Sequence, residues 1–289
     1  MSIIDSHIHI SQRSFDQTFP YIDWNGEQYS IVDEGSRESL IAEMKKRGIA
    51  CCIEPAIEAD SNEVLLRMSR ESGGFIYPAV GNHPSRCVGS SIRDFKRVRT
   101  FAENDCVIAI GETGLDYHSS RQEQHRLRQK IWFLFQIDLA DRLGLPLILH
   151  IRDADRDVIR ILRISRKKLH GGVCHCFRGD PDLAKTYTEE FGLHLGIGGS
   201  LLREDDIGGS LCQTVEATPM DRILLETDGP YVRPDKPDNY SGKQWNKARN
   251  TSLILPAVAA RIASLKSLTA DKVLDVTTEN TKKLFGMTI

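Results

Sequence analysis

Three features are missing from this sequence: long apolar runs, an excess of charge of one sign, and a glycine-rich phosphate-binding turn. No apolar run approaches the roughly 20 residues that a membrane-spanning helix needs, and no basic segment followed by an apolar one opens the chain. The 38 Lys and Arg residues nearly balance the 40 Asp and Glu residues, so attraction for phosphate must come from a local basic patch or from bound metal. Seven cysteines scattered over 289 residues are typical of reduced thiols. We therefore expect a cytoplasmic protein that does not contact membranes.

Short apolar runs recur along the chain, and each is followed by a polar loop and an amphipathic stretch. Eight such units in series, with continuously apolar strands, favour parallel strands that are buried on both faces. The predicted strands are 3–9, 49–55, 75–82, 107–112, 146–151, 172–177, 193–199 and 222–228. The predicted helices are 36–47, 60–72, 91–104, 121–143, 153–169, 180–191, 203–217, 251–265 and 270–285, with C-caps at Gly48 and Gly144.

The natural closure of such a series is a (β/α)8 TIM barrel, which usually takes roughly 250 residues. A doubly wound open sheet is the alternative, but neither a G-x-G-x-x-G turn nor a P-loop supports it. No internal repeat, low-complexity run or linker divides the chain. We therefore predict a single α/β domain that spans 1–289.

Two stretches exceed the minimal barrel. Residues 11–35 follow the first strand, are rich in aromatic side chains and carry a net charge of −4. Residues 231–250 follow the eighth strand and carry a net charge of +3. Both are expected at the face where barrel enzymes keep their active sites, and long irregular loops there are usually functional or mobile.

Side chains that can bind metal stand near the C-terminal end of seven of the eight predicted strands. His7 and His9 are expected on one face of the first strand, because side chains alternate along a strand. Imidazoles and carboxylates without thiolates suit Zn, Mn or Mg, and one glutamate can bridge two ions roughly 3.5–4 Å apart. A barrel would project the whole set into one mouth. The set is His7, His9, Glu54, His83, Glu112, His150, His175 and Asp228.

Seven short motifs follow one another over nearly the whole chain. They are Asp5-Ser-His-Ile-His9, Ala79-Val-Gly-Asn-His-Pro84, Ile110-Gly-Glu-Thr-Gly-Leu-Asp116, Gln129-xxx-Phe133-xx-Gln136-xxx-Ala140, Leu145-Pro-Leu-Ile-Leu-His-Ile-Arg-Asp-Ala154, Cys174-His-Cys-Phe-Arg-Gly179 and Leu224-Leu-Glu-Thr-Asp-Gly-Pro-Tyr231. Together they resemble the TatD family of metal-dependent deoxyribonucleases, which lies within the amidohydrolase-like barrels.

The resemblance implies a site for two divalent ions, whose identity (Mg, Mn or Zn) is left open. The implied ligands are His7, His9 and Asp228 for one ion and His150 and His175 for the other, with Glu112 as the bridge. Many other amidohydrolase-like barrels have a carboxylated lysine at the bridging position, so the glutamate favours the TatD branch.

Substrate contacts are expected from a second group of residues. By the resemblance, His83 and Arg152 hold the substrate phosphate, for which a guanidinium offers bidentate geometry. In the basic loop 231–250, Lys243 supplies a phosphate contact and Trp245 a stacking surface, a combination typical of single-stranded nucleic-acid binding. The role of Glu54 is left open: it can be a metal ligand, a residue that supports a ligand, a substrate contact or a charge at a strand end.

The function expected from these residues is that of a metal-dependent deoxyribonuclease. Two ions would activate water for in-line attack on a phosphodiester of single-stranded DNA, and Asp228 and Glu112 would be the catalytic carboxylates. The release of nucleotides from an end of the strand rests on the resemblance alone. One alternative is a hydrolase of C–N or C–O bonds, and another is a subunit that binds nucleic acid or a partner protein. We expect a monomer or small oligomer.

Overall fold

The computed structural model describes residues 2–118, 123–203 and 209–289. Eight strands form one sheet in chain order, β1-β4-β5-β6-β7-β8-β9-β10, and β2 pairs with β3 in an antiparallel hairpin. The strands are β1 (Ile3–Asp5), β2 (Phe19–Trp24), β3 (Tyr29–Gly35), β4 (Ile49–Pro55), β5 (Ile76–Val80), β6 (Ala109–Asp116), β7 (Leu147–Arg152), β8 (Gly172–Cys174), β9 (His194–Ile197) and β10 (Ile223–Leu225). The eight predicted strands are therefore confirmed, with shifted ends.

Helices separate the strands of the large sheet as predicted. They are α1 (Arg37–Lys46), α2 (Ser61–Glu71), α3 (Ile92–Ala102), α4 (Glu123–Leu143), α5 (Asp155–Ile164), α6 (Pro181–Lys185), α7 (Ser210–Ala217), α8 (Gly242–Lys247), α9 (Leu255–Lys266) and α10 (Ala270–Phe285). Gly48 and Gly144, predicted as C-caps, have φ of 85° and 67°, a conformation that glycine adopts without steric cost. The predicted helix 121–143 includes 121–122, and the predicted helix 203–217 includes 204–208. Both short ranges lie outside the described residues.

The chain forms two compact units. The first comprises Met1–Ile53, Cys176–Lys185 and Leu195–Thr281, and the second comprises Glu54–His175, Thr186–His194 and Lys282–Ile289. Ile4, Ile8 and Leu224 are buried in the first unit, and Ile110 and Leu149 are buried in the second. The single domain predicted from the sequence stays a prediction.

Helix α4 lies against β6 in the second unit and fixes that strand through two buried glutamines. Gln129 accepts a hydrogen bond from the Asp116 N–H and donates one to its carbonyl, both at 2.9 Å. Gln136 donates to Thr113 Oγ1 at 2.7 Å and accepts from the Asn82 N–H at 2.8 Å. Buried amides with both ends satisfied rigidify a core, so α4 holds the strand in which Glu112 lies.

The two long loops expected to be irregular contain regular structure and pack on one another in the first unit. The hairpin β2–β3 lies within 11–35, and α8 lies within 231–250. Ile22 N–H donates to the Arg249 carbonyl at 2.9 Å, and Arg249 N–H donates to the Pro20 carbonyl at 2.8 Å. The hydroxyl of Tyr240 accepts the Ile31 N–H at 3.1 Å. The sequence prediction of two irregular loops is therefore wrong in this respect.

Within the described residues, no single helix has the length and apolarity required to cross a bilayer. One sharply bent pair, Ser252–Lys266 with Ala270–Phe285, meets the length and composition requirements together.

Candidate metal centre

The first cluster consists of His7, His9 and Asp228 and lies just beyond strands β1 and β10. Strand β1 ends at Asp5, so the prediction that both histidines lie within the strand is wrong. An isolated parallel bridge joins Ile8 to Gly229 instead, and Asp228 N–H donates to the His7 carbonyl at 2.8 Å. Asp228 has φ of 52°, a left-handed conformation in which Asp is enriched among non-glycine residues.

The donor atoms of the first cluster are spaced as a metal ion requires. His7 Nε2 lies 3.2 Å from His9 Nε2, and Asp228 Oδ1 lies 3.7 Å from the former and 3.4 Å from the latter. Ligand bonds of about 2.0–2.2 Å in tetrahedral geometry place neighbouring donors roughly 3.4 Å apart. His7 and His9 are almost fully buried. The two imidazoles and the carboxylate therefore fit a divalent cation.

The buried carboxylate of Asp5 holds the backbone that carries the first cluster. Asp5 Oδ1 accepts the N–H groups of His7 and Thr227 at 3.1 Å each. Its Oδ2 accepts the Thr227 hydroxyl at 2.6 Å and the Ser252 hydroxyl at 2.7 Å. Burial raises the pKa of Asp5 to about 6, although these hydrogen bonds oppose the shift. Sequence reasoning quoted Asp5 only within a motif and missed this role.

The second cluster lies in the second unit, within β6 and β7, directly after β8 and in the turn after β5. Its members are His83, Glu112, His150 and His175. Glu112 Oε1 is the centre of the cluster, 2.8 Å from His150 Nδ1, 2.8 Å from His175 Nε2 and 3.4 Å from His83 Nε2. His150 Nδ1 and His175 Nε2 are 3.1 Å apart. Three imidazole nitrogens converge on one carboxylate oxygen, so this donor set also fits a divalent cation.

The charges in the second cluster shift the pKa values of its members in opposite directions. Burial alone would raise the pKa of Glu112, but the imidazoles of His83 and His175 outweigh it and hold that pKa well below its usual range. Burial would lower the pKa of His150, but the carboxylates of Asp116 and Glu112 raise it to about 9. Burial lowers the pKa of His83 to about 3, so its ring is neutral at pH 7.

Asp116 is a further residue of this cluster that sequence reasoning did not single out. Its Oδ2 lies 3.4 Å from His150 Nε2, on the opposite side of the ring from Glu112. A carboxylate behind a ligand histidine orients the ring and makes it more basic. The signal was present in the sequence, because Asp116 ends the motif that contains Glu112, but only the fold shows which ring it meets.

The remaining predicted site residues lie outside the two clusters. Arg152 and Lys243 are exposed, and Glu54 is buried at 1% exposure. Trp245 is 4% exposed, and its Nε1–H donates to the Pro234 carbonyl at 3.0 Å. A ring with so little accessible surface offers almost no face to a nucleobase, which argues against the stacking role predicted for Trp245. The ring packs near Tyr29 and Tyr240 instead.

Comparison with known proteins decides the family. A family model described as "TatD related DNase" matches residues 4–286. The chain belongs to this family. An uncharacterized metal-dependent hydrolase, YabD of Bacillus subtilis, is 31% identical over 283 residues that cover 98% of each chain. A TatD-family relative from Erwinia amylovora, named a 3′-5′ ssDNA/RNA exonuclease, is 30% identical over 87% of this chain and 94% of its own.

Solved structures of TatD-family proteins share the fold. The YJJV TatD homologue from Escherichia coli superposes with a TM-score of 0.80 at 24% identity and covers 99% of this chain and 98% of its own. A TatD-family hydrolase from Entamoeba histolytica gives a TM-score of 0.79 at 18% identity over 99% of this chain and 98% of its own. The predicted (β/α)8 barrel class is thus confirmed, and so is the expectation of a metal-dependent hydrolase.

Proposed function

We propose that this protein is a nuclease that removes nucleotides from the 3′ end of single-stranded DNA, with RNA as a second substrate. The observation that carries the proposal is the spacing of the first cluster, where three donor atoms from distant parts of the sequence converge on the volume of one cation. The names of the TatD relatives supply the substrate class and the direction.

Two divalent cations are proposed for the loaded protein, one at each cluster. The first cluster would hold one ion, and Glu112, His150 and His175 would hold the second. Bound divalent ions at such sites lower the pKa of water and neutralise charge on the phosphate. The role of Glu112 as a bridge between the ions stays a prediction, as does the identity of the ions.

The side chains would carry the proton and position the phosphate. The oxygen of a water molecule forms a new bond to phosphorus, the bond from phosphorus to the leaving sugar oxygen breaks, and that oxygen takes up a proton from solvent. The carboxylate of Asp228, which is partly accessible at 15% of its side chain, takes the proton that the attacking water loses. A neutral His83 donates a hydrogen bond to a phosphate oxygen, and Arg152 binds the phosphate by its guanidinium.

Location and phosphate contacts outside the clusters belong to the same proposal. All seven cysteines are free thiols, which supports the cytoplasm as the compartment. The exposed Lys243 supplies a further phosphate contact for the substrate strand. The expected monomer or small oligomer stays a prediction.

The test uses single-stranded DNA and RNA oligomers labelled at the 5′ or the 3′ end, with protein that has been stripped of metal and then supplied with Mg, Mn or Zn. We expect stepwise release from the 3′ end that requires the added cation. Glu112→Ala should lower the rate by about 100-fold or more, because even residues that support ligands cost 10–100-fold. The exposed Glu63, on α2, provides the matched control Glu63→Ala, which should cleave as the wild type does. Full activity in Glu112→Ala, or turnover of amide and ester substrates in place of oligomers, would refute the proposal.

A further inference from the structure

Tyr231 is the one aromatic side chain among the described Phe, Tyr and Trp residues that is exposed, with 49% of its surface accessible. It follows the eighth strand of the large sheet and is three residues after Asp228. Its ring centroid lies 6.2 Å from that of His9, at an interplanar angle of 67°. An accessible aromatic face therefore stands beside the first cluster, within the same unit.

Tyr231 is held in place by one hydrogen bond from its backbone and one from its hydroxyl. The Tyr231 N–H donates to the Asp228 carbonyl at 2.8 Å. At the other end, the Tyr231 hydroxyl donates to Gln12 Oε1 at 2.9 Å. A side chain that is fixed before binding loses little conformational entropy when a ligand covers it. The exposure of Tyr231 thus does not come from a loose side chain.

Gln12 is itself arranged to hold this ring. Its backbone N–H donates to the His9 carbonyl at 3.3 Å, and the guanidinium of Arg37 donates to its carbonyl at 3.1 Å. Its Nε2 is buried without a hydrogen-bond partner among the described residues. A buried donor left unsatisfied costs free energy, so the position of this amide is explained by its Oε1, which holds Tyr231.

We propose that the face of Tyr231 stacks on the base of the terminal nucleotide, and that Gln12 positions the ring for this contact. The inference rests on the proposed nuclease function and adds to it a subsite for the base. Stacking tolerates any base because every base has a π-face. The subsite should therefore accept all four bases and favour purines, whose stacking surface is larger.

The test compares two oligomers that differ only at the 3′-terminal nucleotide, which carries a base in one and is abasic in the other. The measured quantity is the ratio of kcat/KM for the two substrates. For the wild type we expect a ratio of roughly 5 to 150, which corresponds to the usual contribution of one stacked base. Tyr231→Ala and Tyr231→Leu should reduce the ratio to about one, whereas Tyr231→Phe, which keeps the ring but loses the hydrogen bond to Gln12, should give the same intermediate ratio as Gln12→Leu.

The role of Gln12 has its own readout in the same ratio. Gln12→Leu removes the acceptor of the Tyr231 hydroxyl and should lower the ratio, while Gln12→Glu keeps an acceptor and should restore it. Ile164→Ala, at a side chain that is 74% exposed on α5, is the surface control and should retain the wild-type ratio. Thermal unfolding of each variant verifies that it is folded.

The outcomes separate this inference from the proposed function. A wild-type protein that trims both oligomers equally, or a Tyr231→Ala variant that keeps the full ratio, would overturn the base subsite and leave the nuclease function intact. A wild-type protein that releases nothing from either oligomer would overturn both.

Discussion

Ser252 donates a hydrogen bond of 2.7 Å to the carboxylate of Asp5, from a position 247 residues further along the chain. The same carboxylate accepts the hydroxyl of Thr227, the residue that precedes Asp228. It also accepts the N–H of His7. One buried carboxylate thus joins the segments that carry the first cluster, which makes Asp5 a positioning residue for it.

Replacing Asp5 should destabilise the protein strongly. Asp5→Ala leaves the buried donors of His7, Thr227 and Ser252 without an acceptor, and we expect a loss of about 2–4 kcal/mol in the free energy of unfolding. Urea denaturation of the metal-free protein measures it. The exposed Asp238, in the basic loop, offers the control Asp238→Ala, for which the change should stay within about 0.5 kcal/mol. Equal stability of the two variants would contradict the positioning role.

The two clusters should lose cations independently. The wild type is expected to bind two divalent ions per chain, and His9→Ala and His175→Ala should each bind one. Elemental analysis after dialysis measures the number of ions, and circular dichroism shows whether the fold is kept. The matched control is His170→Ala, at an exposed histidine that pairs with Asp141. One ion in the wild type would contradict the two-site proposal.

A salt bridge on α4 and α5 should make stability depend on pH. Lys130 Nζ lies 2.7 Å from Asp157 Oδ2, and together with the Tyr117 hydroxyl it lowers the pKa of Asp157 below its ordinary value of 3.8. The stabilisation is present above that value and is lost as the pH falls through the lower pKa of the folded protein.

Lys130→Met should therefore cost about 0.5–1 kcal/mol at pH 7 and less at pH 3, the modest size reflecting partial exposure of the pair. Urea denaturation at both pH values measures the difference from the wild type. The control is Lys167→Met at an exposed lysine, which should show no such pH dependence. A constant difference at both pH values would show that lost packing outweighs the ion pair.

Trp245 is predicted to stabilise the basic loop and not to bind nucleic acid directly. Trp245→Ala removes a buried ring and the donor to the Pro234 carbonyl, and should cost about 3–5 kcal/mol of unfolding free energy. Lys243→Ala, two residues away at an exposed position, should leave stability nearly unchanged. Thermal and urea unfolding distinguish the two variants, and an equal effect of both would contradict the burial of the ring.

Most of the fold could be predicted from local sequence patterns. The alternation of apolar runs and amphipathic stretches predicted the eight strands of the sheet, because a strand buried on both faces must be apolar throughout. Several elements were not predictable in this way. The hairpin β2–β3 and helix α8 lie in stretches whose aromatic and charged residues have no clear period, and they contact each other, as the neighbouring rings of Tyr29 and Trp245 show.

The sequence by itself determined the family and the chemical types of the candidate ligands, since His, Glu and Asp follow the strands in a fixed order. The roles of those residues stay predictions. Tertiary structure decided which side chains meet. Asp116 contacts His150, Asp5 accepts a hydrogen bond from His7, and Trp245 is buried within the loop in which it was expected to be exposed. These contacts join residues distant in sequence, and packing selects among many pairings that a local pattern leaves equivalent. For His7 and His9 the pattern suggested a shared face, while the 3.2 Å approach of their Nε2 atoms depends on backbone pairing beyond the end of β1.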